Sequence, residues 1–370
     1  MTSSQPVRKQ AHKQVTPPSS FVVTPPSPPL TDEKASPRAA RILQIFEHIQ
    51  AGKRYTYGPW TSFPLKLQEY DELLRLIRND KDDCLSSFVR DKIRYDYDGR
   101  NECLTIRMAT EVHEIFLEHV KLAIMGQLRD IAKESGDVAE FARKVVCAGS
   151  SRLALPAGNS KSMRCPDANF RHPSARKPAV IIEVAYTQKR KSLASLVDDY
   201  LLDLNRNVQV VVALDIQYQG SEEGKATVSM WRLGEYPAPD GKNILKSDLV
   251  ADEVEFRKPS GEVANSDGLR LCLKDFAIEP QWQHRLEKDN RDIIVSAEML
   301  CQFLQEAESW DEDHEDQEAR FEAELRPDDQ KKRAREPTPS YDEKLANKRR
   351  ALEKKDDDYV QGSSEDYSES

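Results

Sequence analysis

The stretch Val208 to Ile216 constrains this chain more than any other, because from Val208 to Leu214 only Gln209 is polar. A strand with one wet face alternates polar and apolar residues. This one does not, so it reads as a central strand covered on both sides. Such a strand needs a layer above and a layer below, and the neighbouring segments offer amphipathic helices. The expected class is therefore α/β.

Composition bounds the rest. The 370 residues are 38% hydrophobic and 32% charged, with 64 acids against 55 bases and a net charge of −9. That suits one large domain with polar tails better than a chain packed throughout. No apolar run of about 18 residues exists, so no membrane span is expected. The first residues lack the apolar core of a secretory signal. Six scattered cysteines without a C-x-x-C pair argue against zinc modules and disulfide scaffolds, and for reduced intracellular thiols.

Eight prolines in residues 1–38 deny that arm backbone donors, and it is expected to be disordered. Residues 39–108 read as a helical extension and hairpin. One helix carries Ile42, Ile45, Phe46 and Ile49. A second, after the turn Tyr57-Gly58-Pro59-Trp60, carries Tyr70, Leu73, Leu74 and Ile77. The alternating runs Lys92–Tyr97 and Leu104–Met108 flank Asp98-Gly99. Thr110 should cap a long helix over 111–133, with Glu111 and Glu114 in its first turn. Three strands follow, Lys144–Leu155, Met163–Phe170 and Ala179–Thr187, then a helix over 193–204, the strand at 208–216 and another at 226–233. Residues 236–267 look irregular, Leu269–Phe276 suits an edge strand, and 291–307 suits a last amphipathic helix.

Chemistry-bearing residues concentrate in 141–191, which hold eleven bases and only two acids, Asp167 and Glu183. Pro166-Asp167 falls within the second strand and Glu183 within the third. Alternation puts Ile181, Glu183 and Ala185 on one face, with Ile182 and Val184 on the other. A carboxylate on a buried strand costs several kcal/mol unless something neutralises it, and a divalent cation is one such partner. His113 is expected half-exposed on its helix, and Asp198 and Asp199 on a solvated helix face with Tyr200 beneath.

Several segments carry a family resemblance. They are Ile106-Arg107-Met108 with His113-Glu114, Pro166-Asp167-Ala168-Asn169-Phe170, Glu183-Val184-Ala185-Tyr186-Thr187-Gln188, Asp198-Asp199-Tyr200 and Trp231-Arg232. Together with the order helix, three strands, helix, strand, they make residues 40–280 resemble the PD-(D/E)XK nucleases, and within them a group of fungal nuclease-like proteins. The resemblance implies a restriction-endonuclease-like core over 109–280; apolar spacing adds a C-terminal helix within 281–310, and charge composition a disordered tail at 311–370. It implies that Asp167 and Glu183 bind Mg²⁺ or Mn²⁺, joined by Glu114 from the first helix, with Glu111 and Glu118 as competitors. Phosphodiester hydrolysis of DNA or RNA is the implied activity. The family's lysine should stand at 185, where this chain has Ala185. Either Gln188, Lys189 or Lys191 substitutes for it, or the domain is inactive and binds nucleic acid or a protein partner. Arg164, Arg171, Lys189, Arg190 and Lys191 are the expected phosphate contacts.

The tail holds 20 acids and 12 bases, yet two basic clusters stand out in it. Lys331, Lys332, Arg333 and Arg335, then Lys348, Arg349 and Arg350, resemble a bipartite nuclear localisation signal read by an import receptor. Nuclear location is the expectation.

Overall fold

The first helix, α1 (Pro37–Gln50), shows how local chemistry sets an element: Ser36 accepts the Ala39 N–H at 3.1 Å, and Pro37 takes the first position. It thus takes in the last two residues of the arm expected over 1–38. In a computed structural model, described are residues 36–53, 55–58, 60–79, 84–157, 160–186, 190–204, 206–217, 223–239 and 241–324. The expected disordered arm up to residue 35 and the tail from 325 lie outside them. Residues up to Asp311 form one unit and those from Glu312 another.

After α1 come β1 (Trp60–Pro64), α2 (Leu67–Arg78), α3 (Cys84–Lys92), β2 (Arg94–Asp98) and β3 (Cys103–Arg107). The hairpin is as expected, but β1, which begins at the last residue of the expected turn, and α3 have no counterpart in the sequence reading. Ile42 and Phe46 of α1, with Tyr70 and Leu73 of α2, bury Tyr95, Tyr97, Leu104 and Ile106. Because successive strand residues point to opposite faces, the same alternation turns Arg94, Asp96, Asp98, Thr105 and Arg107 away from that core.

Next are α4 (Glu111–Ile131), α5 (Asp137–Lys144), β4 (Val146–Cys147), β5 (Leu153–Ala157), β6 (Ser160–Arg164), β7 (Ala168–Arg171) and β8 (Val180–Tyr186). Thr110 does cap α4, accepting the His113 N–H at 3.3 Å. The three expected strands prove to be five. Lys144–Leu155 breaks at Gly149 (φ +58) into β4 and β5, and Met163–Phe170 breaks at Pro166 into β6 and β7. Asp167 therefore sits in the link between two strands, not inside one. The strands also divide between sheets. β5 and β6 complete a five-stranded sheet in the order β1-β3-β2-β6-β5, so the segment expected to be a helical extension shares a sheet with residues 153–164.

The second sheet uses α6 (Arg190–Asp203), β9 (Val210–Ile216), β10 (Ala226–Pro237) and β11 (Asn243–Arg257). Its order is β11-β10-β9-β8-β7-β4, with β8 and β9 parallel through the α6 crossover and the other pairs antiparallel. The stretch expected to be irregular is the β10–β11 hairpin, whose bulges break its alternation. A small sheet pairs β12 (Leu269–Cys272) with β13 (Asp292–Val295), and α7 (Pro280–Leu286) lies between them in sequence. Ile293 and Ile294 are thus strand residues, and the last helix, α8, starts at Ala297 and continues to Glu324, into the expected tail.

The central strand is covered on both sides, as its sequence requires. Val210, Val212, Leu214 and Ile216 pack with Phe116, Val120 and Ile124 of α4 and Leu300 and Leu304 of α8. Val211 and Ile181 pack with Val197, Tyr200 and Leu201 of α6. Each such side chain contributes about 1.5–3 kcal/mol by leaving water. The class is mixed α/β.

Candidate functional site

The polar face of the first sheet meets the second sheet at Asp167 and Glu183. The link before β7 brings Asp167 against β8, where its Oδ2 accepts the Val184 N–H at 2.8 Å. Glu183 stands in the middle of β8 on the α6 side, as the alternation requires. Both carboxylates are buried.

Arg107, from the end of β3, lies between them. Its Nη2 donates to Asp167 Oδ1 at 2.6 Å and to Glu183 Oε2 at 2.8 Å. Its Nη1 donates to the Cys165 carbonyl at 2.8 Å and reaches Asp96 Oδ2 at 3.4 Å. The Trp60 ring covers the guanidinium, 4.6 Å from ring centroid to Cζ. Arg94 adds a second guanidinium, 3.1 Å from Asp167 Oδ1 and 3.2 Å from Glu114 Oε1. His113 Nε2 lies 3.2 Å from Asp167 Oδ2. The Tyr200 hydroxyl donates to Glu183 Oε1 at 2.6 Å.

These contacts divide the protons unequally. Burial alone would raise the Asp167 pKa, but Arg107, His113 and Arg94 together outweigh it and hold it well below the usual range. Burial pushes Glu183 up, and Asp167 and Asp96 add to that against the pull of Arg107. The two results pull against one another across one guanidinium. Three carboxylates share Arg107: Asp167 keeps its charge, and Glu183 is the one driven toward protonation. Burial would lower His113, yet its bonds to Asp167 and Glu114 raise it to about 9.

The donor set does not fit a divalent ion. Mg²⁺ prefers oxygen ligands in octahedral array and keeps several waters. Here every carboxylate oxygen of Asp167 and Glu183 already receives a proton donor, and a guanidinium nitrogen fills the space between the two groups. Glu114 meets Asp167 through a shared cation, Arg94, and its side chain is 52% exposed. Among the described residues, no group of three or more His, Cys, Asp or Glu side chains is placed to hold a metal.

The remaining expected site residues are dispersed. Ala185 is buried on the Glu183 face. Gln188 and Lys189 lie outside the described residues, and Arg190 and Lys191 open α6 without described side chains. Glu118 pairs with Lys121, and Glu111 is exposed at the start of α4. Arg164 is buried, donating to Asp199 and Asp98 at 2.9 Å each. Arg171 is spent on Asn169 and Ser151. Asp199 is buried instead of solvated, because Arg164 and Arg100 bracket it. His113 is likewise buried, since Asp167 draws it inward.

Sequence reasoning gave no site role to Arg107, Arg94, Asp96 or Trp60. One signal was present: Arg94-Tyr95-Asp96-Tyr97-Asp98 and Cys103–Arg107 alternate so that their charges share one face, and a charged sheet face needs a charged partner.

No protein-family model matches the sequence, and no curated protein matches it.

Proposed function

We propose that this chain is a nuclease-like fold that binds without cutting, its carboxylate pair closed by an internal arginine. In the second sheet β4, β7, β8 and β9 are neighbours in that order, with α4 before them and α6 in the parallel crossover, while α5 and the β5–β6 pair of the other sheet interrupt the chain between them. That order resembles the PD-(D/E)XK core, which supports the finer fold assignment. The observation that carries the functional reading is Arg107 Nη2 between Asp167 and Glu183. A guanidinium there supplies the neutralisation that a metal supplies in a nuclease, but it lowers no water pKa and carries no open coordination position. Ala185 removes the lysine that would orient attacking water.

Such a fold acts by recognition, with nucleic acid as partner and a protein as the alternative. Arg164 takes no part in it, being enclosed by carboxylates. The test uses the full chain with supercoiled plasmid and single-stranded RNA, with Mg²⁺ or Mn²⁺. Retention in a gel shift without cleavage is expected. Metal-dependent nicking that disappears in Glu183→Gln would overturn the proposal and restore the nuclease.

A further inference from the structure

We propose that the outer side of α4 and the free edge of β4 form a docking groove for an extended acidic, apolar peptide. This site is separate from the carboxylate pair and independent of what that pair does. Residues three, four, seven and eleven apart on a helix share a face, and Glu118, Lys121, Leu122, Met125 and Arg129 do so on α4, with Lys133 in the turn that follows it. Two adjoining cavities, of about 430 and 320 Å³, share Met125 and Arg129 and run along this face. Their apolar walls include two unusually wet side chains, Leu122 at 52% exposure and Val146 at 50%.

The rim decides the partner's charge. Four cations line the groove, Lys121, Arg129, Lys133 and Arg143, against one lining acid, Glu118. Lys121 and Lys133 are neutralised by Glu118 and Asp130. Arg143 spends one nitrogen on the Ala132 carbonyl, at 2.8 Å. Among the described residues, no carboxylate makes a close ion pair with Arg129 or Arg143, and Glu140, which acts on Arg143 from a distance, pairs with Lys144, so a carboxylate-bearing partner would complete them. No aromatic ring lines either cavity, which disfavours stacked bases and favours a peptide.

Backbone geometry decides the partner's shape. β4 is the last strand of its sheet. The Ala148 N–H bonds to the Asn169 carbonyl at 2.8 Å, so Val146 and Ala148 face β7. Antiparallel alternation then turns the Cys147 N–H and carbonyl to the outer edge. An extended peptide can pair there as a seventh strand, with alternate apolar side chains in the groove and alternate acids on the rim.

The probe is a fluorescein-labelled peptide of about ten residues alternating Leu or Val with Asp or Glu, read by anisotropy on the full chain. Saturable, salt-sensitive binding is expected, weakened roughly five- to tenfold in Arg129→Glu and in Leu122→Asp. Cys147→Pro removes only the outward N–H and should weaken binding similarly. If that variant melts early, Leu122→Asp on the exposed surface decides alone. Failure of the acidic peptide to bind, equal binding of a version with Lys for every acid, or unchanged binding by Leu122→Asp would overturn the proposal. Displacement by oligo-dT would overturn it too, by marking the groove as a general polyanion site.

Discussion

Nη2 of Arg107 lies 2.6 Å from Oδ1 of Asp167, with the arginine carried by the last residue of a strand in one sheet and the aspartate by the link into the other. The same nitrogen reaches Glu183, so one side chain bridges the buried acids and joins the two sheets.

Removing that guanidinium should be costly. Arg107→Met leaves Asp96, Asp167 and Glu183 without their shared cation, and losing one partner of a buried pair costs about 3–5 kcal/mol. Urea denaturation checks this. A loss below about 1 kcal/mol, the range of exposed pairs, would show that the pair is dispensable.

Tyr200→Phe should be mild by comparison. It deletes only the hydroxyl donated to Glu183 Oε1, worth about 1 kcal/mol, and keeps the ring packed against Ile181 and Val211. A loss as large as that of Arg107→Met would place more of the Glu183 energetics on the tyrosine than this geometry allows.

Stability should fall as pH rises from 6.5 to 9. His113 has its pKa raised from 6.5 to about 9, so its stabilisation is complete below 6.5 and disappears as pH passes 9. The change amounts to roughly 3 kcal/mol at most. Glu183, also raised, acts in the same direction from lower pH. Melting curves across this window should slope downward in the parent and flatten in His113→Gln. An equal slope in both would remove His113 as the cause.

Nuclear accumulation is expected from the two basic clusters, which lie outside the described residues. Replacing Lys348, Arg349 and Arg350 with Ala should leave a fluorescent fusion in the cytoplasm, and unchanged nuclear signal would show that the address lies elsewhere.

What the sequence made legible was local. Period-two alternation identified the Glu183 face, and the unbroken run at 208–216 identified a doubly covered strand, because each signal needs only neighbours along the chain. The β10–β11 hairpin hid behind Pro237, Gly241 and its bulges, with Glu253 at φ +46. Arg107 was hidden for another reason. Its partners stand 60 and 76 residues downstream, so nothing near residue 107 announces that this arginine meets the carboxylates.

The most direct measurement is the melting temperature of the full chain with and without millimolar Mg²⁺ or Mn²⁺, beside Asp167→Asn. A ligand that binds only the folded state raises that temperature by mass action. With Arg107 between the two acids, neither ion should shift the parent, and the variant should melt lower in both conditions. A metal-dependent rise in the parent that is absent from Asp167→Asn would contradict this, since the carboxylates would then prefer the ion to the arginine.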